Sequence, residues 1–83
     1  MKILQKNQDK VANTKRLLIN IINEPEKYNI PEIQNALSNQ RKLAAFTNTE
    51  YAITSCTLNT LKSAAEYCLS RGFIELDELR QNA

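Results

Sequence analysis

Leu4, Val11 and Leu18 lie seven residues apart, which keeps them on one face of a helix, with Ile21 and Ile22 continuing the stripe and Leu17 flanking it. The spacing predicts a helix from Ile3 to Asn23, with a start as late as Gln8 left open because terminal turns fray. It ends by Glu24, since the residue before Pro25 is pushed out of the α region. Glu24 to Asn29 reads as a polar linker. Pro31 then suits the first position of a second helix, whose buried face is Ile33, Ala36 and Leu37 and whose first turn carries Glu32. Ser38-Asn39 interrupts the pattern, and Arg41–Phe46 is helical again, burying Leu43 and Phe46. Thr47-Asn48-Thr49 loosens the chain, and Tyr51-Ala52-Ile53 is too short to tell a strand from an apolar loop anchored in the core.

Leu58, Leu61, Ala65, Cys68 and Leu69 repeat at i, i+3, i+7, i+10 and i+11, the cleanest helical pattern in the chain. Thr54, Ser55 and Thr57 supply N-cap hydroxyls before it. The helix is expected over Thr57–Arg71, with Gly72 as its left-handed stop and Phe73 and Ile74 packing back on it. Phe73, Leu76 and Leu79 are spaced for a short closing helix with Glu75, Asp77 and Glu78 near its start. The expected fold is all-α, one small domain over residues 1–83, a bundle of four to five short helices.

Composition narrows the function. One Gly and two Pro among 83 residues, where average usage gives roughly six and four, disfavour a many-turned sandwich or barrel. There is no His, which removes both the commonest general base and the commonest metal ligand. Two Cys and a single Met add little. Cys56 and Cys68 would stand roughly 18 Å apart along one helix, beyond reach of a disulfide, and two Cys without His cannot complete a zinc site. Cys56 at a helix mouth has the setting of an activated thiol, but no base accompanies it. The acids Glu75, Asp77 and Glu78 lack the spacing of a calcium loop and suit a helix N-terminus. The expectation is a protein that is not an enzyme and uses no cofactor, metal or small-molecule substrate. No secretory signal or membrane-length apolar run is evident, which points to the cytoplasm.

The net charge is +2, and its distribution says more than its size. In residues 1–23, Lys2, Lys6, Lys10, Lys15 and Arg16 face one carboxylate, Asp9. Lys2, Lys6 and Lys10 are four residues apart and predict a basic stripe beside the apolar face. A second deposit lies at Arg41-Lys42, Lys62 and Arg71. Such a footprint fits a polyanion or an acidic protein surface, and equally a solvated helix face.

The helix starting near Thr57 presents Leu58, Leu61, Ala65 and Cys68 inward and Thr57, Asn59, Thr60, Lys62 and Ser63 outward, with no carboxylate until Glu66. A helix in the DNA major groove needs such a surface. Short side chains allow close approach, Asn can pair with adenine, hydroxyls serve base edges or phosphates, and Lys neutralises phosphate. Cys56–Ile74, with its Thr-Leu-Asn-Thr-Leu-Lys start and Arg-Gly-Phe-Ile close, resembles the recognition-helix end of helix-turn-helix and winged-helix DNA-binding proteins. Ile30–Leu37 resembles their supporting helix. The resemblance implies a DNA-binding or transcription-regulatory protein, of the kind phages and mobile elements carry. DNA contacts would come from Thr57, Asn59, Thr60, Lys62 and Ser63, joined by Arg41 and Lys42. Ser38 to Thr57 separates the two segments where the family has three or four residues, so Arg41–Phe46 is either a decoration or the true supporting helix, or the motif is absent. The alternative is a protein-protein interaction module that docks on a partner without touching DNA. A homodimer is expected in either case, with Leu17 and Ile19 as candidate contacts.

Overall fold

The computed structural model describes residues 2–83, with side chains from Asn7 onward. Among the described residues the chain is all-α: α1 (Lys2–Asn23), one 3-10 turn (Pro25–Tyr28), α2 (Pro31–Leu37), α3 (Gln40–Ala45), α4 (Leu58–Cys68) and α5 (Phe73–Asn82). No helix is long and apolar enough to cross a membrane among these residues.

Helix α1 starts at Lys2 rather than at Gln8 and is the spine of the bundle. It packs on both α4 and α5, while α2 packs on α3 and α3 on α4. The buried strip of α1 holds Val11, Leu17, Leu18 and Ile21, and these meet Ile33, Leu43, Ile53, Leu61, Ala64, Phe73 and Leu76 in one core. Leu17 is therefore a core residue at 2% exposure and not a dimer contact; Ile19, on the opposite side of the helix, is 38% exposed. Glu24, ahead of Pro25, leaves the α region with φ −137° and ψ 66°. Pro31 occupies the first turn of α2 as expected.

The break at Ser38-Asn39 is real but brief: Asn39 is extended and its side chain accepts the Lys42 amide, so α3 starts at once. Of the two candidates for a supporting helix, α3 stands directly beside α4.

Two expectations fail around Gly72. Helix α4 ends at Cys68, because Leu69 turns extended at φ −105° and ψ 140°. Gly72 then opens α5 instead of closing α4, with φ 68° and ψ −153°. Cys68, expected in the core, is exposed. The buried strip of α4 is Leu61, Ala64 and Ala65. Two adjacent alanines shift the strip sideways and let α1 approach, which a reading based on large residues alone does not register. Phe73 packs inward as expected, whereas Ile74 is 60% exposed.

Thr14 is 1% exposed on the inward strip of α1, and its hydroxyl finds no hydrogen-bond partner. Leaving such a group dry costs about 1–3 kcal/mol. Thr14→Val keeps the shape and removes the group. Its melting temperature should rise, by roughly 4–8 °C for each kcal/mol recovered; an unchanged or lower value in a thermal melt would show that the hydroxyl is satisfied.

Candidate functional site

Thr57 is the N-cap of α4: its Oγ1 accepts the Thr60 amide at 3.2 Å and donates to Thr60 Oγ1 at 2.9 Å. This fixes the first turn and holds both hydroxyls at the mouth of the helix. Asn59, Lys62 and Ser63 are exposed, as is Thr57, and Thr60 is half-buried. Four of the five residues expected to face outward are thus exposed, and Asn59, Thr60 and Ser63 line one groove. Glu66, the first carboxylate on the helix, is drawn away by the Phe73 amide, which donates to its Oε2 at 2.6 Å. The Lys62 ammonium lies 5.8 Å from the centre of the Phe73 ring, and this cation–π contact keeps it near the surface of the bundle.

Two shallow grooves flank this face. One, of about 390 Å³, runs between α4 and the start of α1 and is lined by Asn7, Asn59, Thr60, Ser63, Ala64 and Tyr67. Its side chains are amides, hydroxyls, a methyl and one phenol. The other, of about 780 Å³, includes Arg41 and Lys42 of α3 beside Leu58 at the start of α4. Arg41 is exposed, and Lys42 Nζ donates to Asn35 Oδ1 at 3.1 Å. The second basic deposit therefore lies next to the helix that the first-turn hydroxyls open. Arg80 borders this groove too, but is held by Asp77 at 2.9 Å and by the Leu37 carbonyl at 2.9 Å.

Of the basic stripe expected on α1, Lys10 departs from the surface. Lys2 and Lys6 lie outside the described side chains. Lys10 is 2% exposed and belongs to the buried strip. Its Nζ donates to Phe46 O at 3.2 Å and to Thr54 O. Burial pulls its ammonium below the ordinary lysine value, with Cys56 nearby acting in the opposite sense. The reason lies in helix geometry. Lys10 precedes Leu17 by seven residues and so shares its inward direction, a register that was open to sequence reasoning. Lys15 is tied to Glu75 at 2.6 Å, and Arg16 stacks 5.3 Å over the Tyr51 ring. These three cations of α1 are thus each engaged by another part of the chain.

The remaining candidates engage internally. The Lys15 hydrogen bond holds Glu75 below the usual carboxylate range. Asp77 bonds Arg80 and Gln81, and Glu78 pairs with Arg71 at 2.8 Å. Burial pushes the Cys56 thiol up, and Lys10 only partly offsets it; that is opposite to the shift an activated nucleophile requires. Among the described residues no group of three or more Cys, Asp or Glu side chains could hold a metal ion. Asn7 and Tyr67 line the groove although neither was among the expected DNA contacts. Tyr67 follows Ser63 by four residues and Asn59 by eight, a spacing that could have placed it on the same face.

No protein-family model, curated protein or solved structure matches the chain.

Proposed function

We propose that this chain is a small DNA-binding protein that lays the outward face of α4 against duplex DNA. The supporting observation is the exposure of Thr57, Asn59, Lys62 and Ser63 at the start of α4, with Arg41 and Lys42 of α3 beside Leu58 at the same end of the helix, while Glu66 is turned onto the Phe73 amide. In this reading Asn59 and Ser63 meet base edges, Thr57 and Thr60 meet base edges or phosphate, and the three cations neutralise phosphates. The free N–H groups of the first turn add to the attraction for phosphate. A regulatory role in transcription is the use such a module would serve.

The test is duplex binding by fluorescence anisotropy over a salt series. With three phosphate contacts, the slope of log K against log salt should be about −3. Lys62→Glu should reduce binding below detection, and Asn59→Ala should weaken discrimination between sites by about 1–3 kcal/mol, both with circular dichroism unchanged. Failure of the wild-type chain to bind random and genomic duplexes at low salt ends this reading. A protein-docking role is favoured by one feature, the exposure of Tyr67 at 72% and Ile74 at 60%. In that case Tyr67→Ala abolishes partner capture and Lys62→Glu leaves it intact.

A further inference from the structure

Lys10 is 2% exposed, a burial at which an ammonium is tolerated only if it is well hydrogen-bonded. Its two acceptors are informative. Phe46 is the residue that closes α3, and Thr54 lies three residues before Thr57, the cap of α4. One cation therefore grips both ends of the segment joining the two helices. Between those ends Asn48 and Ile53 exchange backbone hydrogen bonds at 2.9 and 2.8 Å, and just outside them Cys56 N donates to Ala44 O at 2.9 Å. Three residues reach at most about 10 Å, so a shift at Thr54 is passed directly to the first turn of α4. A hydrocarbon side chain could fill the same volume but could not hold two carbonyls.

We infer that Lys10 is a positioning residue for α4: its buried ammonium latches segment 46–54 to α1 and so fixes the direction in which Thr57, Asn59, Lys62 and Ser63 face a partner. The part of this that concerns DNA rests on the function proposed above; the latch itself does not. Lys10 contributes to binding without meeting a phosphate, which separates it from Lys62.

The experiment uses the full chain and three readouts. In Lys10→Met, the Ile53 and Cys56 amides should exchange at least about tenfold faster, while amides at the centre of α1 keep their protection. Duplex affinity should fall by about tenfold with the salt slope unchanged, whereas loss of a phosphate-contacting lysine lowers the slope by about one. In the wild-type chain, nitrogen-15 spectra of the lysine side chains should show a slowly exchanging Lys10 ammonium coupled across hydrogen bonds to the carbonyls of Phe46 and Thr54. This last readout needs no variant and decides the matter if Lys10→Met does not fold. Lys10 protons that exchange as fast as those of exposed Lys27, unchanged amide exchange in a folded Lys10→Met, or a slope reduced by one would each overturn the inference. If the wild-type chain binds no duplex but the exchange results hold, the DNA reading falls and the latch is upheld.

Discussion

Leu61→Ala should lower the melting temperature of the protein by roughly 12–24 °C, from a loss of about 3 kcal/mol at 4–8 °C per kcal/mol. Leu61 is 1% exposed and belongs to the single core that joins α1, α3, α4 and α5. Truncation removes transfer energy and leaves a cavity that rigid helices only partly close. A domain of this size has a total stability of about 4–12 kcal/mol, so the variant keeps little margin. The comparison is Asn59→Ala, two residues away on the opposite face of the same helix, which should stay within about 0.5 kcal/mol of wild type. Thermal melts followed at 222 nm measure both. Equal melting temperatures for the two variants would mean that α4 is not inserted in the core as described.

Gly72→Ala should cost about 2–4 kcal/mol, from backbone strain and a lost cap together. Gly72 adopts φ 68° and ψ −153°, a region that residues with a Cβ scarcely enter. A methyl group there would also stand 2.1 Å from Glu66 Oε2. The carboxylate can swing aside, but it then releases the Phe73 amide, the hydrogen bond that opens α5. The measurement is again a melt, with Glu66→Gln as a companion that probes the cap alone. If Gly72→Ala proves as stable as wild type, the conformation at this junction is wrong.

The helices and the ends marked by Pro25, Pro31 and Thr57 were legible in the sequence because local rules govern them. Pro25 and Pro31 act on their own neighbours, Thr57 caps the helix that follows it, and the spacing of Leu58, Leu61 and Ala65 needs no partner to be read. The outward set on α4 was legible for the same reason. What the sequence hid depends on contacts distant along the chain. Segment 47–56 contains neither Gly nor Pro, yet it turns tightly enough for Ala52 to take φ 55°. Its shape is held by Asn13 on the Ala52 carbonyl, Asn20 on the Tyr51 hydroxyl and Asn48 on the Tyr51 amide. The Asn48 pairing is a local side-chain turn, but the Asn13 and Asn20 pairings have no local signature. Lys10 was misplaced for a related reason: a charged residue on a helix defaults to the solvent side, and only its seven-residue relation to Leu17 argues otherwise. Gly72 was assigned to the wrong helix because a Gly between two helices serves equally as the stop of one or the start of the next, and the extended Leu69 decides between them.

The side chains of α1 that hold the connecting segment reach far along the chain: the hydrogen bonds from Lys10, Asn13 and Asn20 span 31 to 44 residues. Most helical bundles are rich in local contacts and fold fast on that account, while distant pairings must first close long loops. Here the segment before α4 has its own Asn48–Ile53 pairing, but its anchorage to the bundle comes from the side chains of α1. Helix α4 should therefore dock late in folding, and a fragment lacking α1 would retain the residues of the outward face without the framework that aligns them.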